Sequence, residues 1–120
     1  MAIMSCYSAY DGVPVSGSRR YMTDILRGEL GFDGFVYSDW GSVGRLKTFH
    51  HAVATSEEAA RQSLHAGIDV DVDDAYRTLE RQVAEGLVPM AEIDTAVSRV
   101  LAAKFRLGLF DTARNNMPSW

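Results

Sequence analysis

Gly34-Phe35-Val36-Tyr37-Ser38-Asp39-Trp40-Gly41 is the stretch on which the fold turns. Phe35, Val36 and Tyr37 form a short apolar, aromatic run with strand character, entered through the turn signal Gly31-Phe32-Asp33-Gly34 and left through Gly41. Asp39 therefore falls where a strand ends. In a parallel sheet flanked by helices, ligands bind at the carboxyl ends of the strands, so an acid followed by a large aromatic there is a site candidate. Taken alone, the octapeptide suits an N-cap aspartate better than a site. Its surroundings decide.

Upstream, residues 2–7 read as a buried strand, and Asp11-Gly12 with Pro14 break it into a loop. Ser18 is a plausible N-cap; Tyr21, Met22, Ile25, Leu26 and Leu30 then follow at helical spacing, and Gly31 stops the turn. Strand, helix, strand in forty residues implies a right-handed crossover and parallel pairing. Downstream, a long connection passes Gly41, Gly44 and His50-His51. Ser56 offers a cap, with Glu57 and Glu58 in the first turn of a helix over residues 57–66. Gly67 ends it, and Ile68-Asp69-Val70-Asp71-Val72 alternates with period two, as a strand does. Tyr76, Leu79 and Val83 mark a short helix closed by Gly86. Pro89 precedes a longer one whose stripe of Ile93, Val97, Val100, Leu101 and Phe105 reads as core, before Gly108. Residues 113–120 lose periodicity and read as a linker or disordered tail. The sum is an α/β chain of about three consecutive βα units with parallel strands. A closed (β/α)8 barrel takes about 250 residues, so 120 residues make a partial TIM barrel.

Composition narrows the function classes. A chain 47% hydrophobic and 23% charged can bury a core. Its net charge of -4, with 12 scattered basic residues, points to no nucleic acid and no membrane as partner; neutral substrates fit better. The single cysteine, Cys6, allows no internal disulfide and leaves the compartment open. Residues 1–4 offer neither a basic n-region nor a long apolar run, so neither a signal peptide nor a membrane span is expected.

Several ungapped blocks carry a more specific signal: Met4-Ser5-Cys6-Tyr7, Asp11-Gly12-Val13-Pro14, Thr23-Asp24-Ile25-Leu26-Arg27-Gly28 with Glu29-Leu30-Gly31-Phe32, and Gly34 to Trp40. Glu58-Ala59-Ala60, Ala66-Gly67-Ile68-Asp69, Ile93-Asp94, Ala96-Val97, Arg99-Val100-Leu101 and Lys104-Phe105-Arg106-Leu107-Gly108-Leu109-Phe110-Asp111 continue in order. In these blocks the chain resembles glycoside hydrolase family 3, the β-glucosidase and β-xylosidase family, over residues 3–111. The resemblance implies that residues 1–112 are the C-terminal part of the family's catalytic barrel domain, its last three βα units. It implies a retaining reaction on a β-linked glucoside or short oligosaccharide, without cofactor or metal, in which Asp39 is the nucleophile. A carboxylate suits that role because it attacks the anomeric carbon, steadies oxocarbenium character and leaves when water attacks. By the same resemblance Trp40 lines the sugar site, its alternative being a core tryptophan. Tyr7 lies beside the nucleophile, its alternative being a buried strand tyrosine. The chain departs from the family at Ser8, where asparagine is usual.

A retaining reaction needs a second carboxyl group about 5 Å from the first. Asp69, Asp71 and Asp73 are tempting, but in the family the acid/base comes from a C-terminal domain or an inserted loop. The expectation is therefore a fragment with a nucleophile and no acid/base. Asp69, Asp71, Asp73 and Glu80 also fall at positions 1, 3, 5 and 12 of a calcium loop, yet Asp74 stands where that loop needs glycine. They read instead as inward-facing acids whose cationic partners lie on strands outside the chain. His50, His51 and His65 lack ligand spacing and read as solvated or satisfied. Two open sheet edges suggest a homo-oligomer, or a complement of the missing barrel half. The competing reading is a non-catalytic half-barrel folding or interaction module.

Overall fold

The computed structural model describes residues 1–111; the tail expected at 113–120 lies outside them. In chain order come β1 (Ala2–Met4), β2 (Ala9–Tyr10), β3 (Val13–Pro14), a 3-10 turn (Val15–Gly17), a π-helix (Arg20–Glu29) and β4 (Phe35–Tyr37). Then follow α1 (Arg45–Thr48), α2 (Ser56–Ala66), a 3-10 turn (Ala75–Thr78), α3 (Leu79–Ala84) and α4 (Met90–Arg106).

β1 and β4 pair in parallel, with Ala2 opposite Phe35, Ile3 opposite Val36 and Met4 opposite Tyr37. The crossover between them is the π-helix, whose wider turn shows in the i→i+5 bond from Leu30 N to Ile25 O at 2.9 Å. Ser18 contributes a long capping bond, accepting from Tyr21 N at 3.4 Å, although Arg19 flanks the helix. Gly34 is required at the entrance to β4. A Cβ there would overlap the Met1 carbonyl oxygen, which accepts from Phe35 N at 3.3 Å.

Three expectations about strands are corrected. The loop at Asp11-Gly12 is a tight antiparallel hairpin of β2 and β3, with positive φ at both turn residues, 51° and 78°. That is the geometry Asp-Gly favours in a type I′ turn. The third parallel strand contracts to a single bridge between Tyr37 and Val70. The segment still runs alongside β4: Asp69 N and Val70 N both donate to Val36 O, at 2.8 and 3.1 Å, and Ser38 N donates to Val70 O at 2.8 Å. A full ladder does not form because the Asp69 carboxylate accepts the Val36 N–H at 2.8 Å, taking the place of a backbone carbonyl. β1 is also not buried as expected, since Ala2 and Met4 are exposed.

Helices cover the sheet on one side through three apolar clusters. Met22, Val36, Ala66 and Ile68 join the π-helix to the strands. Ala60, Leu64, Leu79, Val88 and Ala96 join α2, α3 and α4, and Val43, Leu46 and Ala59 seat α1 on α2. The cap of α2 is Thr55 rather than Ser56. Its hydroxyl accepts from Glu58 N at 3.1 Å while Glu58 Oε2 accepts from Thr55 N at 3.3 Å, a reciprocal capping box. The expected stripe of α4 is core only in part: Ile93 packs against the cluster around Leu64 and Leu79, and Val100 is half-buried. Ala96 and Ala103 are the helix's buried residues, whereas Val97, Leu101 and Phe105 are exposed, Phe105 at 65%. The helix is turned so that Ala96 packs in the cluster with α2 and α3 and Arg99 reaches Asp69. Among the described residues no helix is long and apolar enough to cross a membrane.

Candidate active site

The end of β4 is fixed from two sides before the chain turns outward. Ser5 N donates to Tyr37 O at 2.8 Å. The buried Ser38 hydroxyl donates to Asp71 Oδ1 and accepts from Val72 N, both at 3.0 Å. Beneath the turn, Ser16 Oγ donates to Cys6 O at 2.8 Å and lies 3.0 Å from Ser5 Oγ, which in turn lies 3.4 Å from Ser42 Oγ. These short hydroxyls tie the loops after β1 and β4 together where no backbone ladder reaches.

Asp39 follows directly and is half-buried. Its Oδ1 accepts from Trp40 N at 2.7 Å and its carbonyl from Ser42 N at 3.0 Å, while Gly41 takes φ 72° to complete the turn. It caps no helix; α1 begins after Gly44 without a side-chain cap. Trp40 is 69% exposed and so is not a core tryptophan.

Tyr7 closes the group from the loop after β1. Its hydroxyl donates to Trp40 O at 2.6 Å. Burial pushes the phenol above its ordinary value, the nearby Asp39 carboxylate adds to the rise, and Arg45 opposes it. The phenol therefore stays protonated at neutral pH and available as a donor. Two residues missed in the sequence hold it. The Arg45 guanidinium carbon lies 4.2 Å from the Tyr7 ring centroid, and His50 Nε2 is 2.8 Å from Tyr7 O. Neither was legible, because each contact joins positions some forty residues apart. The structure thus brings Tyr7, Asp39 and Trp40 together.

The acidic segment does something else, and for Asp69 the cationic partners expected outside the chain are inside it. The Asp69 side chain is 1% exposed and bridges two arginines: Arg27 Nη2 at 2.6 Å from Oδ2 and Arg99 Nη1 at 2.8 Å from Oδ1. Arg27 also donates to Gly34 O at 2.7 Å. Burial lowers its guanidinium from the ordinary value, and Asp69 opposes that shift; the group remains a cation at neutral pH. Asp71 accepts from Ser38 and from Tyr76 N at 3.2 Å. Asp74 pairs with Arg77 at 2.8 Å, and Asp73 is exposed, its carboxylate facing Gly41. His65 meets Glu92 at 3.0 Å. Four cavities of 250 to 390 Å³ among the described residues have linings that do not include Asp39.

Residues 1–103 match the family model described as the glycosyl hydrolase family 3 N-terminal domain. The chain is 42% identical over 110 residues to a lysosomal β-glucosidase of Dictyostelium discoideum, covering 88% of this chain and 13% of that protein. It is 40% identical to a β-xylosidase of Formosa agariphila, covering 92% of this chain and 16% of the relative. Among solved structures, a β-glucosidase from Erythrobacter marinus superimposes with a TM-score of 0.87 at 37% identity, over 91% of this chain and 15% of that one. A β-glucosidase from Listeria innocua in complex with glucose gives 0.87 at 34% identity, over 95% and 16%. The chain thus spans about one seventh of the length of these relatives. On the family match and on these identities, the chain belongs to glycosyl hydrolase family 3.

Proposed function

We propose that this chain is the nucleophile-bearing part of a retaining β-glycosidase, corresponding to the last three βα units of the catalytic barrel, with residues 1–112 as that partial domain. The observation that carries the reading is the Asp39 carboxylate at the carboxyl end of β4, beside the Tyr7 phenol and the exposed Trp40 ring. Asp39 attacks the anomeric carbon of a β-linked glucoside or short oligosaccharide, the bond to the leaving oxygen breaks, and water later releases the sugar. Tyr7 braces the Trp40 carbonyl, the Trp40 amide holds the carboxylate, and Trp40 offers a ring face to the pyranose. The relatives named as β-glucosidases and β-xylosidases support a β-glycoside of glucose or xylose as the substrate class. No metal or cofactor enters this reading.

The acid/base comes from outside these residues. Asp69 is committed to two arginines and Asp71 to Ser38 and the Tyr76 amide, which leaves neither free to protonate a leaving group. Loss of a general acid alone costs about 10²- to 10⁴-fold, so hydrolysis of an ordinary aryl β-glucoside by the isolated chain is expected to be negligible. A 2-deoxy-2-fluoro-β-glucoside with an activated leaving group bypasses the acid. With it, intact mass is expected to show one covalent sugar after long exposure. A clean spectrum would overturn the nucleophile assignment.

A second reading rests on the exposed edge of β1 and the exposed apolar residues of α4: a non-catalytic half-barrel that oligomerises or completes a barrel in trans. Light scattering is expected to give a mass above the 13.2 kDa of one chain. A monodisperse monomer at high concentration would contradict this second reading.

A further inference from the structure

We propose that Arg45 is a positioning residue for this glycosidase site: its guanidinium, stacked on the face of Tyr7, fixes the ring whose hydroxyl donates to the carbonyl of Trp40, the residue whose amide donates to the Asp39 carboxylate. The inference rests on the reading of Asp39 as nucleophile. Arg45 opens α1, and its backbone is bonded on both sides: Arg45 N donates to Gly41 O at 3.0 Å, and His50 N donates to Arg45 O at 2.9 Å. The residue is therefore fixed where the turn after Asp39 ends. Among the described residues its guanidinium makes no ion pair, and its closest aromatic partner is the Tyr7 ring at 4.2 Å. A cation over a ring face is held by the ring quadrupole, and guanidinium stacks flat, which restricts ring rotation more than a point charge would.

Tyr7 is then restrained at three places. Its carbonyl is bonded by His50, its ring is covered by Arg45, and its hydroxyl is bonded to Trp40 O. Two of these are backbone-directed hydrogen bonds that leave the ring free to rock about its own axis. Arg45 is the contact that stops this. The groups facing the phenol are Asp39 from the β4 end and Arg45 from α1, with His50 facing the carbonyl.

The test uses the full chain and the fluoroglucoside trap. In Arg45→Gln the maximal trapping rate is expected to fall about tenfold, the size of a partly desolvated cation–aromatic contact, with the reagent's half-saturation unchanged. Arg45→Lys is expected to recover part of that loss. Tyr7 ionisation, followed by ultraviolet difference against Tyr7→Phe, is expected to move to higher pH in Arg45→Gln because an opposing cation has gone. A wild-type rate with unmoved ionisation would overturn the role of Arg45 alone. A raised half-saturation at constant maximal rate would make Arg45 a direct sugar contact and also overturn it. If the wild-type chain is never trapped, the nucleophile reading fails first and this inference falls with it.

Discussion

Asp39→Asn is expected to reduce covalent trapping by about 10⁴-fold or more, the scale seen when a covalently acting residue is removed from an enzyme. The substitution is nearly isosteric, and its amide oxygen can still accept from Trp40 N as Asp39 Oδ1 does at 2.7 Å. The turn therefore survives, and circular dichroism and the urea midpoint are expected to match the wild type. What goes is the negative charge and the oxygen nucleophile. A neutral side-chain amide in that place cannot form a glycosyl ester at a useful rate. Retained trapping in a folded Asp39→Asn chain would locate the reacting acid elsewhere.

Asp69→Ala is expected to cost about 3–5 kcal/mol of stability, read as a fall in the urea midpoint, because it leaves two arginines without their shared carboxylate. Arg27 is 11% exposed and Arg99 28%, so solvent replaces little of the lost pairing, least of all at Arg27, whose Nε already lacks a partner. The same change strands the Val36 amide, adding the roughly 1–3 kcal/mol of an unpaired buried donor. Against a total stability of about 5–15 kcal/mol, that is enough to leave much of the chain unfolded. Asp69→Asn, which keeps an acceptor for Val36 N, is expected to lose less. Val36 sits in β4 three residues before Asp39, so a slack strand would also misplace the nucleophile. An Asp69→Ala midpoint equal to wild type would show that the buried triad is decorative.

Local signals in the sequence served best where a fold depends on neighbours in the chain. The run Phe35-Val36-Tyr37 between Gly34 and Gly41 is β4, the period over 57–66 is α2, and Pro89 and Gly108 bound α4. Some local signals were available but misread. Asp11-Gly12 between Tyr10 and Val13 is a hairpin turn by its own chemistry, and Thr55 three residues before Glu58 is a capping box one position earlier than Ser56. The remainder was not in the local pattern at all. Asp69 alternates as a strand residue should, yet its carboxylate reaches arginines 42 and 30 positions away and displaces a ladder bond. The α4 stripe has a helical period, but which face is buried is decided by where Arg99 reaches Asp69 and where the small residues Ala96 and Ala103 can pack. At the site, the placing of Asp39 and its aromatic neighbour was legible as a strand end. The Arg45 and His50 contacts to Tyr7 were not, since stacking and a bond to a backbone carbonyl leave no spacing rule.

The most direct test is to map the trapped sugar by tryptic digestion and fragmentation. Cleavage after Arg27 and Arg45 places Asp39 in the peptide of residues 28–45, while Asp69, Asp71, Asp73 and Asp74 all fall in residues 62–77, between Arg61 and Arg77. The account predicts the added mass on Asp39 within the first peptide. Sugar on the second peptide, or on Glu29 or Asp33 of the first, would contradict it.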